Sequence, residues 1–412
     1  MKILRGMNKM AKFTKEYLKE LQSYPLDTKI SLTKARIREW VNAYSEEGVY
    51  ISFSGGKDST VLLDIARKLY PNIEAVFVDV PTQYPELKQF ATSFENVTVL
   101  RPKISFAQVC EKYGFPFISK EVAESVEGAR KFLKIAYDRQ TDRQIPYAYW
   151  YADLVGIPRR GKDKENNEFL NLKKGILDTE KYRYGVPVRL AAMFGEVPHK
   201  EKGELTGEKS QMYDRSKYKF FLNAPFEISS KCCNAMKKAP LKKYQKETGK
   251  NPITAQMASE SRLRTQKWLQ NGCNAFESRH KISNPMSFWT EQDVLQYIKR
   301  NNLPICSVYG EIVEEPDEDG VNGQLSFSDI EEWKDIDFSE IVTKLKTTGC
   351  NRTGCMLCGF GCHLEKSPNR FEMLRETHPN MYKLLDLVKN NGYTMRQAID
   401  WINENGNMNI RY

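Results

Sequence analysis

Ser54-Gly55-Gly56-Lys57-Asp58-Ser59 sits between two stretches of opposite periodicity. Before it, Val49-Tyr50-Ile51-Ser52-Phe53 is a short, β-prone run that reads as a buried strand. After it, Val61, Leu62, Ile65 and Leu69 recur at helical spacing through Tyr70. A strand, a glycine turn and a helix in that order put unpaired helix N–H groups at the carboxyl end of a parallel strand. Adjacent glycines let the backbone turn tightly and approach an anion with no Cβ in the way. The N–H groups, the helix dipole and the hydroxyls of Ser54 and Ser59 can then bind phosphate oxygens, and Lys57 adds charge. Asp58 suits orientation of the loop or of a magnesium ion better than direct phosphate contact. The string differs from the Walker loop, because its glycines are adjacent and an acid precedes the last serine.

Working outward, Ala75-Val76-Phe77-Val78 reads as a second buried strand ending at Asp79, a position suited to contact ribose, adenine or a metal. A proline-bounded helix begins near Pro85, and Val97-Thr98-Val99-Leu100 is a third strand. Residues 14–23 and 32–46 read as preceding helices, and Pro252 to Gln256 as a returning strand. This alternation predicts an α/β fold, a Rossmann-like parallel sheet with helices on both faces. The expected organisation is N-terminal helices over 1–48 and a nucleotide-binding α/β domain over 49–310. A large basic insertion interrupts that domain at about 131–230. An acidic linker over 311–345 and a Cys-rich, helical C-terminal region over 346–412 complete the chain. Helices are expected at Phe371–Glu376, Met381–Asn390 and Thr394–Glu404.

The 412-residue chain carries a net charge of +10, unevenly spread. Glu311 to Glu340 holds 12 acidic residues against Lys334 alone, which leaves +21 on the rest. A body this basic favours polyanions such as nucleotides or nucleic acid. No apolar run approaches the ~18 residues of a membrane span, and the N-terminus lacks a signal-peptide pattern, so the expectation is a cytoplasmic protein with no membrane partner. Nine cysteines in such a chain suggest metal or redox chemistry rather than a disulfide framework, and Cys350, Cys355, Cys358 and Cys362 fall within 13 residues.

Several motifs, in order over most of residues 49–362, resemble the PP-loop superfamily, in the branch of phosphoadenylyl-sulfate and adenylyl-sulfate reductases. After Ser54 to Ser59 come Val78-Asp79 and Thr82-Gln83-Tyr84-Pro85-Glu86, then Lys231-Cys232-Cys233 with Lys237, Lys238, Pro240 and Leu241. Ala258 to Arg264, Asn284-Pro285, Trp289 to Val294 and Gly354-Cys355-Met356-Leu357-Cys358 follow in register with the family's blocks. The resemblance implies an adenine nucleotide alpha hydrolase-like fold and an adenine-nucleotide site of Ser54, Gly55, Gly56, Lys57, Asp58, Ser59, Asp79, Glu260 and Arg264. Lys57 and Asp58 are the expected catalytic pair. It also implies a 4Fe–4S cluster on Cys232, Cys233, Cys355 and Cys358. The residues themselves leave a rival set open, because Cys350-x₄-Cys355-x₂-Cys358 has plant-ferredoxin spacing and Cys362 could complete it. Zinc is the lesser alternative, since only one CxxC knuckle is present. Glu260 is an equally good structural ion-pair partner for Arg264.

Two departures bear on the reaction. Where the family has Gly-x-Arg, this chain has Ala255, Gln256 and Met257, so one anion contact is absent. No cysteine follows Cys362, so the nucleophilic tail cysteine of the reductases is missing. The leading expectation is therefore ATP-dependent, pyrophosphate-releasing sulfur transfer with Mg²⁺, with a sulfur-donor protein as a further partner. Tyr147, Tyr149, Tyr151, Tyr182 and Tyr184 in the basic insertion suggest tRNA or DNA as acceptor. The alternatives are a reductase of adenylyl sulfate or its 3′-phosphorylated form, with Cys350 or Cys362 as nucleophile, and a non-catalytic nucleotide-binding subunit. Oligomeric state is not readable.

Overall fold

The structure is a computed structural model that describes residues 12–140, 188–201, 204–278, 280–316 and 343–412. The five insertion tyrosines and most of the acidic segment lie outside the described residues. The chain divides into two compact units, Met1–Lys103 with Lys237–Cys355, and Ile104–Met236 with Met356–Tyr412.

In the first unit, helices α1 (Lys15–Ser23) and α2 (Leu26–Tyr44) lead into β1 (Val49–Phe53) and α3 (Lys57–Arg67). Then come β2 (Ala75–Val78), α4 (Pro85–Thr92) and β3 (Val97–Leu100). The chain re-enters the unit at α5 (Ala239–Thr248), β4 (Asn251–Ile253), α6 (Arg262–Asn271) and α7 (Glu291–Asn301). The four strands form a parallel sheet in the order β3-β2-β1-β4, with Ile51 opposite Ala75 and Ile253, so the expected α/β fold is present. The returning strand is shorter than Pro252 to Gln256, because Thr254 leaves the sheet to donate its N–H to Ser283.

The period of two in β1 sends Val49, Ile51 and Phe53 to one face, where they pack with Trp40, Leu62, Ile65, Trp289 and Ile298. Burial of this apolar set, at roughly 25 cal/mol per Å², is the main force holding α2, α3 and α7 to the sheet. Tyr50 points to the other face, where its hydroxyl accepts from Gln245 Nε2 at 2.9 Å and its ring meets Tyr244 edge-on. Glu74 fixes that face by accepting from Thr98 Oγ1, Tyr244 Oη and Lys250 Nζ at 2.5 to 2.6 Å. Burial alone would raise the Glu74 carboxyl, but these three donors outweigh it and hold it below its ordinary range. An antiparallel hairpin of β5 (Ile312–Pro316) and β6 (Thr343–Thr347) flanks the segment outside the described residues.

The second unit has its own core, including Phe115, Phe117, Phe221, Phe226 and Phe371. Its long helix Lys120–Gln140 precedes the segment outside the described residues, and short helices follow Phe360. The helical C-terminal region is present, with one correction. Met381–Asn390 is not one helix, because it breaks into Pro379–Tyr382, Leu384–Leu387 and a strand Lys389–Asn390 paired with Tyr393–Thr394. Asn391 and Gly392, at φ 49° and 85°, form the two-residue turn that Asn-Gly favours, and it ends the helical run. No helix among the described residues is long and apolar enough to cross a membrane.

Candidate functional site

The turn after β1 is built as its glycines suggest. Gly55 has φ 73°, and a Cβ there would stand 3.1 Å from the Leu87 carbonyl oxygen. Gly56 caps α3 with no side-chain partner, and a Cβ there would meet Ser54 Oγ, Tyr309 Oη and Thr353 Oγ1 at 3.2 to 3.3 Å. Ser54 Oγ and Ser59 Oγ lie 3.0 Å apart, and the Gly56 N–H donates to Ser54 Oγ at 3.3 Å. Two hydroxyls and a helix N-terminus therefore face one small space, the arrangement that receives a phosphate or sulfate.

Lys57 lies beside it, 4% exposed. Its ammonium donates to Glu291 Oε1 and to the Asn351 carbonyl oxygen, both at 2.6 Å, and lies 5.4 Å from the Tyr309 ring centre. Tyr309 Oη accepts the Lys57 backbone N–H at 3.2 Å and shares a hydrogen with Thr353 Oγ1 at 2.8 Å. Burial pushes the Tyr309 phenol up to about 12, so it stays a neutral hydrogen-bonding cap. Glu291, Tyr309, Asn351 and Thr353 were not singled out as site residues by the sequence. They stand more than 230 positions from the loop, and Glu291 alone falls within a quoted motif.

Asp58 has a buried Oδ1 with no hydrogen-bond partner among the described residues. Burial raises its carboxyl above the ordinary value; Lys57, Arg352 and Arg264 oppose the shift, and Glu291 adds to it. A raised folded value favours the native state at low pH. That contribution is complete below the unfolded value near 4 and is lost as pH rises through the folded one. Asp58→Asn removes the penalty, so the variant should exceed the parent in unfolding free energy by about 1 kcal/mol or more near neutrality, with the gap closing in acid. Urea titrations at both pH values check this; a pH-independent gap would sink the assignment.

Other expected site residues are engaged within the protein. Asp79 Oδ2 is 2.9 Å from Lys88 Nζ and 3.3 Å from Arg101 Nε. Arg264 forms an ion pair with Glu260, whose Oε2 also accepts the Met257 N–H at 3.0 Å. Met257 is buried in the core, which accounts for an apolar residue where the resembling family has arginine. Thr82 Oγ1 and Gln83 Oε1 in the Thr82 to Glu86 motif are buried without hydrogen-bond partners among the described residues.

Of the four expected cluster ligands, Cys355 belongs to the first unit and Cys232, Cys233 and Cys358 to the second. Cys232 is buried with its thiol 3.7 Å from Met236 Sδ. Among the described residues no three Cys, His, Asp or Glu side chains gather into a metal-ligand group. Cys350 lies in the first unit, where its thiol donates to Tyr84 Oη at 3.5 Å.

Comparison with known proteins places these features in context. The family model described as phosphoadenosine phosphosulfate reductase domain matches residues 48–150 and 168–359. An uncharacterized protein of Methanocaldococcus jannaschii is 34% identical over 91 residues, covering 20% of this chain and 22% of the relative. Phosphoadenosine 5′-phosphosulfate reductase of Proteus mirabilis is 22% identical over 140 residues, covering 33% of this chain and 57% of the relative. The chain thus spans about a fifth and just over half of these curated relatives. A phosphoadenylyl-sulfate reductase structure from Candida auris, a phosphate complex, aligns with TM-score 0.31 at 12% identity over 72% of this chain and 90% of that one.

Proposed function

The chain belongs to the phosphoadenosine phosphosulfate reductase domain family, and from that premise we propose that it is an ATP-dependent enzyme of sulfur chemistry whose Ser54–Ser59 loop holds the nucleotide phosphates. The observation that carries this reading is the cradle of Gly55, Gly56, Ser54 and Ser59 beside the buried ammonium of Lys57. An acceptor oxygen attacks the α-phosphorus of ATP, the bond to the β-phosphate breaks, and pyrophosphate leaves. A sulfur nucleophile then attacks the activated carbon or phosphorus, and AMP departs with the oxygen. Lys57 and the α3 N-terminus offset the charge that develops on pyrophosphate. The partnerless Asp58 oxygen fits a Mg²⁺ otherwise held by phosphates and water, which would supply further charge neutralisation. Asp79, Glu260 and Arg264 remain proposed second-rank contacts, available if their internal ion pairs open on nucleotide binding.

Family membership supports a second reading, a sulfonucleotide reductase. There a thiolate attacks the sulfonate sulfur of adenylyl sulfate, AMP leaves, and a second thiol releases sulfite from the resulting S-sulfocysteine. Cys350 is the candidate thiol, because its neighbour Asn351 accepts the Lys57 hydrogen bond. Incubation with ATP, Mg²⁺ and an acceptor pool should release pyrophosphate under the first reading. Sulfite from adenylyl sulfate and dithiothreitol, with no pyrophosphate from ATP, would install the second.

A further inference from the structure

The sheet face that carries Tyr50 is covered at Tyr50 by Tyr244 and Gln245 of α5. It floors a cleft of about 740 Å³ within the first unit, with Tyr50, Ser52, Pro252 and Thr254 as its base. Tyr50 lies opposite Pro252 in register, so this polar row is the reverse side of the strands whose other face builds the core. One wall is α5 with Lys238 just before it, and another is α6.

Charge sets this cleft apart. Its lining includes Lys238, Lys242, Lys250, Arg264, Lys267 and Lys281, and no Asp or Glu. Lys250 is tied to Glu74 and Arg264 to Glu260, whereas Lys281 only lies over the Tyr44 ring, 5.0 Å from its centre. Lys238, Lys242 and Lys267 are exposed and have no carboxylate partner among the described residues. Four cations are thus left without a counter-charge, and at neutral pH they repel one another until an anion enters.

Their spacing says what kind of anion. Lys238, at the N-cap of α5, and Lys242 are four residues apart, about 6 Å along a helix axis. Lys267 lines the cleft from α6, and Lys281 lies on a separate segment. A lone nucleotide would concentrate its charge at one point, and the Ser54 loop already offers that point. Cations spread over two walls instead follow a chain of phosphates. The recess between two helices admits one strand more readily than a duplex. Tyr50 and Trp268 are buried, 0% and 3% exposed, so the cleft presents no aromatic platform from these residues for base stacking.

We propose that this cleft holds a single-stranded nucleic-acid segment through its phosphates, and that such a strand is the acceptor class for the reaction proposed above. The inference rests on that reading for the acceptor role but not for the binding itself. Ser52 and Arg264 both line the cleft, so it runs toward the end of β1 from which the phosphate loop departs.

The test is fluorescence anisotropy on the full chain with labelled oligouridylate, labelled oligothymidylate and a labelled duplex, each titrated against salt. Four cations on a single strand give a slope of log affinity against log salt of about −3, at roughly −0.7 per neutralised phosphate. Lys238→Glu/Lys242→Glu/Lys267→Glu should weaken strand binding at least tenfold and flatten the slope, with ATP affinity unchanged. The corresponding triple Gln variant should fall between. The two oligonucleotides tell RNA from DNA as the preferred strand, and either supports the proposal. Absence of strand binding, a duplex bound as tightly, or binding indifferent to the triple variants would overturn it. So would a loss of ATP affinity in the triple variant, which would make the cleft part of the nucleotide seat. Strand binding that responds as described, without pyrophosphate release from ATP, upholds the cleft and counts against the reaction alone.

Discussion

Lys57→Ala is expected to weaken binding of ATP or adenylyl sulfate by roughly tenfold to a hundredfold, the scale of one lost charge-assisted hydrogen bond, and to lower turnover by about 10²–10³. The ammonium is held where a flexible surface lysine would not be. Two of its three protons go to Glu291 and the Asn351 carbonyl at 2.6 Å, leaving the third for an anion in the cradle. Because the position is pre-set, little side-chain entropy is lost when phosphate arrives, and the charge acts in a site largely shielded from water. Lys57→Arg should not rescue it, since a planar guanidinium cannot reproduce a compact ammonium in a position 4% exposed. Ser59→Ala removes one hydroxyl and should cost less, about 1 kcal/mol of binding. Calorimetric titration of ATP against each folded variant decides the matter. Unchanged affinity in both Lys57→Ala and Ser59→Ala would show that the phosphates lie elsewhere.

The loop and the strands around it were legible because their signals are local. Val49 to Phe53, Ala75 to Val78 and Val97 to Leu100 are strands with the bounds read from the sequence. Each is a short run bounded by turn residues, so periodicity and chain punctuation suffice. The lid over the loop was not legible for the opposite reason. Tyr309 has no distinctive neighbours and Thr353 only precedes the Gly354-Cys355 motif, and the return of the chain after α7 brings the Tyr309 hydroxyl to Lys57 and to Thr353. Arg264 shows a third case. Its motif was visible, but whether the guanidinium is free or bound to Glu260 depends on the turn from Met257 to Ser261, which spacing alone does not fix. The cysteines show a fourth. Collinear order with a family's blocks does not say whether Cys232, Cys233, Cys355 and Cys358 converge, since Cys355 belongs to one unit and the other three to the second.

Lys29→Met is expected to cost about 3–5 kcal/mol of unfolding free energy, the penalty of stranding a buried charge. Lys29 and Asp293 are 2% and 7% exposed, and the ammonium donates to both carboxylate oxygens at 2.8 and 2.7 Å. With total stabilities of about 5–15 kcal/mol for a domain, that loss is large enough to unfold part of the population at ambient temperature. Replacing both partners, as Lys29→Met/Asp293→Leu, should recover some of it, because neither charge is then left alone. Recovery will be incomplete, since Asp293 Oδ2 also accepts from the N–H and hydroxyl of Thr290 to cap α7. That cap ties stability to the site, because Glu291, the first residue of α7, accepts the Lys57 ammonium. The Asp293→Leu change should therefore reduce ATP affinity through fraying of the first turn, whereas the folded fraction of Lys29→Met should bind with less change. Urea unfolding of the two single variants and the double variant gives the coupling energy. Coupling below about 0.5 kcal/mol would mean that the pair acts as two independent residues, and the link from α2 through α7 to Lys57 would then have to be abandoned.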